Sequence, residues 1–421
     1  MTPTFGEANN AMLAEIARRH GTPLYAYDQR SLRTQVEKLQ RHLPQAVQIL
    51  YSLKANASLG LSDVLADCGI GADVASAGEF LTALEAGFPA SRIFVAGPVK
   101  SAETVSLLQE HPEAIVSIDS ADELAVLARK NIPNRAVLRL RPDFVSVAVV
   151  TAGADCRFGV PLEEVKRCGE LLSSCSLEVI GFHVFAGSQV LSAPGVLGHL
   201  RGAVDLSLRA SEMLGIVPEF LNLGGGFGVP YAAGEQELDL DSISEELDAL
   251  IARARPARLA LELGRYLVAQ AGWYVTSVVG RQTHQGRPAV IVDGGTHQRT
   301  DFCGVGLRCK ASPPLVLNAA TGPLTPTDVL GCLSLPADVL AEAARLPPLG
   351  IGDVLAFEKA GAYGLWSSPA LFHGYPLPAE VIFDGSTIQL IRHPQCARSI
   401  LADQMHAPKK HAAADSAEKV H

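Results

Sequence analysis

A lysine ends an otherwise apolar, strand-like run in Gln48-Ile-Leu-Tyr-Ser-Leu-Lys-Ala-Asn56. A charged amine there is costly unless paired, and a desolvated amine is what Schiff-base chemistry with a carbonyl cofactor needs; Lys54 can equally be a solvated rim charge. Glu262 poses the same question with the opposite sign. A carboxylate in the apolar run Leu259–Leu263 must be neutralised, matched to a buried cation, or paired at the surface with Arg265 at i, i+3. The run Gly224-Gly-Gly-Phe-Gly228 is either a plain tight turn or a loop whose small residues, Gly225 and Gly226, let backbone N–H groups approach phosphate oxygens. Arg265 would add a fork of donors to such an anion, and Ser188 a hydroxyl.

These residues need elements to hold them. Eight short apolar runs follow one another, centred near Ile49–Leu53, Gly71–Ala75, Ile93–Ala96, Ala114–Ile118, Ala136–Leu140, Leu177–His183, Phe220–Leu223 and Leu259–Leu263. Helix-like stretches such as Ala77–Ala86, Asp122–Lys130, Leu162–Leu172 and Ile243–Ala254 fill the seven gaps. Eight strands with intervening helices is the count of a (β/α)8 barrel, with a doubly wound open sheet as the alternative. In a barrel, chemistry belongs just after the strand C-termini. Lys54 follows the first strand, Asp73 and Gly78 bracket the end of the second, and Arg139 lies at the end of the fifth. His183-Val-Phe-Ala-Gly-Ser-Gln189 follows the sixth, the triple glycine the seventh, and Glu262-Leu-Gly-Arg265, with Gly264, closes the eighth.

Beyond about residue 275 the texture changes to short Val, Ile and Thr-rich runs broken by Gly, Pro and Asp: Gly272–Val279, Pro288–Val292, Leu315–Asn318, Asp353–Lys359, Ala379–Phe383 and Thr387–Arg392. Thr22-Pro-Leu-Tyr-Ala-Tyr27 reads as one more strand of this kind. The expected organisation is an N-terminal segment 1–28 joining the β domain, a barrel over 29–272, a β-rich domain over 273–400 and a disordered tail over 401–421.

A chain of 421 residues with 48% hydrophobic and 19% charged residues can bury a large core, and 38 Gly with 26 Pro fit a globular α/β protein. No apolar run is long enough to cross a bilayer, and Glu7, Glu15, Arg18 and Arg19 do not fit a secretory signal, so a cytoplasmic location is expected. The eight cysteines show neither CxxC nor metal-ligand spacing, which favours reduced thiols and no metal site. A formal net charge of −9 argues against a nucleic-acid surface and for a small-molecule or protein partner.

In this order and spacing, over roughly residues 20–395, the chain resembles the fold-type III decarboxylases dependent on pyridoxal 5′-phosphate, the alanine-racemase-like group that includes diaminopimelate, ornithine and arginine decarboxylases. Tyr51-Ser-Leu-Lys-Ala-Asn56 is similar to the family's lysine motif, Asn222-Leu-Gly-Gly-Gly-Phe-Gly228 to its phosphate loop, Glu262-Leu-Gly-Arg265 to its Glu-Pro-Gly-Arg motif, and Ala360-Gly-Ala-Tyr-Gly364 to its C-terminal tyrosine motif. The resemblance implies that Lys54 binds the cofactor aldehyde and that Glu262 partners the pyridine nitrogen, making the ring an electron sink. It implies that Gly226, Arg265, Ser188 and Tyr363 hold the phosphate, that Asp73 and Arg139 orient lysine and cofactor, and that a homodimer shares its active sites through a β-domain loop from the partner.

Departures from the family bear on the substrate. The position of a histidine stacked on the cofactor is Phe185 here, with His183 two residues earlier, and an aromatic face can still stack. The partner-chain loop normally reads Gly-Pro-x-Cys and then an acidic residue; Gly322-Pro-Leu-Thr-Pro-Thr-Asp328 lacks the cysteine, leaving Thr325 and Asp328 as its polar candidates. The Arg and Tyr pattern that grips the distal carboxylate of diaminopimelate is absent from Gly294-Gly-Thr-His-Gln-Arg-Thr-Asp301. Closer matches at Gly322-Pro-Leu, Phe185 and Ser367-Ser-Pro are the decarboxylases of secondary metabolism, including siderophore assembly, that act on amino-acid units attached to a carrier protein or to citrate. A specialised amino-acid decarboxylase is therefore expected, the alternatives being diaminopimelate decarboxylase, a racemase, or a non-catalytic carrier or regulatory homologue that binds the cofactor.

Overall fold

The computed structural model describes residues 5–144, 148, 150–151, 156–173, 175, 177–299, 312–318 and 322–407. After a first strand, β1 (Leu24–Asp28), the chain lays down β2 (Val47–Ser52), β3 (Gly71–Val74), β4 (Ile93–Val95), β5 (Ile115–Ile118) and β6 (Ala136–Leu140). A short β7 (Val150–Thr151) precedes β8 (Val179–Val184); β9 (Gly187–Ser188) precedes β10 (Phe220–Gly225) and β11 (Arg258–Leu263). Strands β2 to β6, β8, β10 and β11 pair in parallel, and β11 returns to β2 through Leu259↔Val47 to Leu263↔Tyr51, closing the barrel. A helix fills each of the seven gaps, and Gln29–His42, started by the Asp28 side chain on Arg30 N, covers the first strand from outside. The expected eight strands are the eight of the barrel, and the open sheet is excluded.

The barrel interior is sorted by height. Leu50, Phe94, Val137, Ile180, Phe220 and Ala260 form a separate apolar cluster across the strands, with Ile115 packed against it. Two residues further along, the same strand faces carry Ser52, Ser117, Arg139, Asn222 and Glu262. Alternation with period two puts each polar residue above an apolar one, so a dry floor supports a polar layer at the C-terminal mouth.

The second domain is a nine-stranded sheet made of β1, β12 (Gly272–His284), β13 (Arg287–Val292), β14 (Leu315–Val316), β15 (Thr325–Leu330), β16 (Val339–Leu346), β17 (Val354–Phe357), β18 (Ala379–Phe383) and β19 (Ile388–Arg392). As expected, β1 belongs to it, antiparallel to β12 through Leu24↔Val275 and parallel to β18 through Leu24↔Ala379. The helix Phe5–His20 covers one face, where Leu13 and Ile16 pack with Leu24, Trp273, Val381 and Phe383.

One expectation is corrected. Thr325 and Asp328, expected on a loop, lie in β15, which pairs with β13 and β16. β16 carries the helix formers of Val-Leu-Ala-Glu-Ala-Ala-Arg-Leu yet is a strand, because pairing with β15 overrides local preference. A short 3-10 turn, Ala397–Leu401, ends where the expected tail 401–421 begins; residues 408–421 lie outside the described residues, as do Thr300, Asp301, Cys303 and Cys309.

Candidate active site

Lys54 sits in the 3-10 turn Leu53–Ala55 that ends β2, between buried neighbours, with its own side chain exposed in the barrel mouth. Its Nζ lies 5.1 Å from the centroid of the Phe185 ring. Burial among the barrel walls pushes its pKa down, but Asp73, Tyr363 and Glu262 outweigh that and hold it above the ordinary lysine value, while Arg139 opposes them. Asp73 is buried, accepts from the Ser52 hydroxyl through Oδ2, and has no partner for Oδ1. Burial and the neighbouring Glu262 charge raise its pKa, partly offset by Lys54 and Ser52.

Glu262 lies deep in the mouth. Asn222 Nδ2 donates to its Oε1 at 2.7 Å, and Asn222 Oδ1 accepts from Gly224 N, which fixes the amide. His183 Nε2 is 3.1 Å from the same oxygen, but its N–H points off the direct line and makes no aligned hydrogen bond. Burial alone would raise the Glu262 pKa; His183, Lys54 and Arg139 overcome this and hold it below the usual carboxylate range. Oε2 has no hydrogen bond among the described residues, and Glu262 lines the cleft.

That cleft is lined by Ser52, Lys54, Phe185, Ser188, Gly226, Phe227, Glu262, Leu263, Gly264, Arg265 and Tyr363. Gly226 has φ +84° and a Cβ there would stand 2.2 Å from Gly187 O; at Gly225, the ladder partner of Glu262, it would stand 1.9 Å from Glu262 O. Neither position admits a side chain, so the loop backbone stays bare. Arg265 is buried, donates from one terminal nitrogen to the Tyr231 hydroxyl at 3.0 Å, and lies 4.5 Å from the Tyr363 ring. Its Nε has no hydrogen-bond partner among the described residues. A buried guanidinium with an unused donor beside a bare glycine loop fits a phosphate group, and an amine and a carboxylate at the other positions fit the aldehyde and ring nitrogen of pyridoxal phosphate. Tyr363 comes from the second domain with φ +54°, held by its N–H on Ala55 O at 2.7 Å, the residue after Lys54.

The mouth thus brings together Lys54, Phe185, Ser188, Gly226, Glu262, Gly264, Arg265 and Tyr363. Gly225 lies behind the loop against Glu262, and Asp73 sits behind Ser52. Arg139 is tied to Asp119 at 2.9 Å and faces the Phe158 ring. His183, Thr325 and Asp328 do not line the cleft. Asp328, read from sequence as a catalytic candidate, is buried in the second domain, where it accepts from His284 Nδ1 and Ala343 N at 2.7 Å and from Arg287 at 3.2 Å. Its carboxylate is fully engaged in that sheet. Ser52, Asn222 and Tyr231 were not singled out from sequence. The signal for the first two was available: each is a polar residue two places beyond an inward apolar one in a barrel strand.

Residues 29–269 match the family described as "Pyridoxal-dependent decarboxylase, pyridoxal binding domain". The chain belongs to this pyridoxal-dependent decarboxylase family, and it is an enzyme that uses pyridoxal phosphate to decarboxylate an amino acid. It is 32% identical to an L-glutamyl-(BtrI acyl-carrier protein) decarboxylase of Niallia circulans over 94% of this chain and 97% of that protein. It is 31% identical to a diaminopimelate decarboxylase of Deinococcus radiodurans, over 93% of this chain and 98% of the relative. Among solved structures, diaminopimelate decarboxylase of Helicobacter pylori complexed with L-lysine superposes with a TM-score of 0.83 at 25% identity, covering 93% of this chain and 98% of that one.

Proposed function

We propose that the substrate is an amino-acid unit tethered to a carrier protein or to citrate, in siderophore or other secondary-metabolite assembly, and that free diaminopimelate is not turned over efficiently. The observation that carries this reading is the state of Gly322–Asp328. It contains no cysteine, and Asp328 is consumed by His284, Arg287 and Ala343, so no carboxylate of this segment is left to read a distal amine. The relative named for a carrier-protein-bound glutamyl substrate supports the same reading.

Bound pyridoxal phosphate would supply a carbonyl for the substrate amine and a ring that accepts the electron pair left on the α-carbon when carbon dioxide departs. The chain supplies the rest. Lys54 would hold the cofactor aldehyde, Arg265, Ser188, Tyr363 and the Gly226 loop would hold its phosphate, and Glu262 would pair with its ring nitrogen. Phe185 gives the ring an apolar face and keeps water from it. With the cysteine absent, Lys54 Nζ is the proton donor to the α-carbon, since its surroundings favour the charged form.

Carbon dioxide release measured over a panel of free, carrier-bound and citrate-linked amino acids tests the proposal. Turnover of a tethered substrate far above that of free meso-diaminopimelate is expected. Release from free diaminopimelate alone would establish instead the lysine-pathway activity borne by the Deinococcus relative's name.

A further inference from the structure

We propose that Ser117 and His183 act as a pair of positioning residues that hold Glu262 ionised with one oxygen turned to the cofactor ring, without either touching cofactor or substrate. The inference does not depend on which amino acid is decarboxylated.

Both residues are buried, at 2% and 1% exposure, and neither lines the cleft. Ser117 Oγ is 2.9 Å from His183 Nδ1, and His183 Nε2 is 3.1 Å from Glu262 Oε1. The imidazole stands edge-on to the Phe94 ring, 5.3 Å between centroids, in the apolar floor. It therefore has polar neighbours only at its two nitrogens. The serine backbone is pinned as well: its carbonyl accepts from the Lys100 ammonium, which also donates to Gly97 O at 2.7 Å and pairs with Glu123 at 3.1 Å. Ser117 thus cannot drift from the histidine.

The protonation pattern follows from the neighbours. Burial lowers the His183 pKa, Glu262 and Asp119 push it up, and Arg139 pushes it down, with burial prevailing. A neutral imidazole has one N–H. Facing a carboxylate at Nε2 and a hydroxyl at Nδ1, the proton belongs on Nε2, and Ser117 Oγ–H donates to Nδ1; a serine can donate there, whereas a carboxylate cannot. Glu262 Oε1 then accepts from the Asn222 amide and has the His183 Nε2–H dipole 3.1 Å away, off the line of a hydrogen bond. Both favour the charged form and leave Oε2 for the ring nitrogen. A carboxylate left without the histidine would be buried without that dipole, and its tendency to take up a proton would rise.

The test compares the affinity of the full chain for pyridoxal 5′-phosphate with that for its 1-deaza analogue, which carries C–H in place of the ring nitrogen. The ratio of the two dissociation constants reads the contact between Glu262 and that nitrogen, independently of turnover. Wild type should prefer the natural cofactor by on the order of tenfold or more. His183→Leu should bring the ratio toward one, Ser117→Ala should lower it in the same direction, and His183→Gln, which keeps an N–H, should recover most of it. Circular dichroism and thermal melting establish that each variant is folded. If His183→Leu does not fold, Ser117→Ala and Ser117→Thr decide the matter, the threonine retaining the wild-type ratio. An unchanged ratio in folded His183→Leu, or in folded Ser117→Ala where the leucine variant is unfolded, would overturn the proposal.

Discussion

Asn222 Nδ2 and Glu262 Oε1 lie 2.7 Å apart in the barrel mouth, and that bond holds one oxygen of the carboxylate while the other has no hydrogen bond among the described residues. Glu262→Gln keeps the shape but removes the charge and presents an amide to the ring nitrogen. The variant should still bind pyridoxal phosphate, seen by its visible absorbance, while kcat falls on the order of a hundredfold or more. Wild-type turnover in Glu262→Gln would refute the assigned role.

Gly226→Ala places a methyl group 2.2 Å from Gly187 O at a backbone angle that side chains rarely adopt. The loop must move, at about 1–3 kcal/mol of strain, and the bare backbone facing the phosphate is lost. Equilibrium titration should show cofactor affinity down by roughly tenfold or more, with the cofactor-free chain destabilised by no more than that strain. Retained affinity would place the phosphate elsewhere.

Asp328→Ala removes the acceptor shared by His284, Arg287 and Ala343 N beneath a thin layer of the second domain, where His284 and Arg287 remain about 30% exposed. A loss of about 1–3 kcal/mol in unfolding free energy is expected, with kcat/KM within about twofold of wild type once folded. A collapse of activity in a stably folded Asp328→Ala would return this residue to the catalytic set.

Asp73 gives a prediction in pH. Burial, reinforced by Glu262, raises its folded-state pKa from 3.8 to about 7. Because the folded value lies above the unfolded one, the stabilisation belongs to the protonated form: it is complete below the unfolded pKa and is lost as pH rises through about 7. Chemical denaturation of the cofactor-free chain should therefore show Asp73→Asn gaining on wild type between about pH 4 and about pH 8, the span of that titration. A difference that does not vary with pH would show that Asp73 is not shifted.

Much of this architecture is written into local sequence. Each barrel strand is a run of inward and outward apolar residues broken by a helix of its own, and the lysine, glycine and glutamate motifs stand at strand ends, where a parallel barrel exposes side chains. What sequence did not disclose depends on partners far along the chain. Nothing near Asp328 shows that Arg287 and His284 will claim it, and the composition of Val339–Leu346 favours a helix until β15 offers a ladder of hydrogen bonds. Ser117 and Asn222 were legible only as polar residues in apolar strands. Their surroundings appear when the barrel closes and sets Asn222 against Glu262 and Ser117 against His183.

The place of β1 at the middle of the second sheet, between β12 and β18, has a consequence for synthesis of the chain. The strand leaves the ribosome before the barrel, yet neither neighbour exists until the whole barrel has been made, and β18 follows well after β12. Its apolar face must wait exposed or be shielded, and contacts of such long sequence separation close slowly. No single cut between residues 263 and 272 would yield two autonomous pieces, because the C-terminal fragment would lack its central strand and the N-terminal fragment would carry it unpaired. Moving Phe5–Asp28 to the far end of the chain by circular permutation would make the second domain contiguous, and would turn a late, nonlocal docking step into a local one.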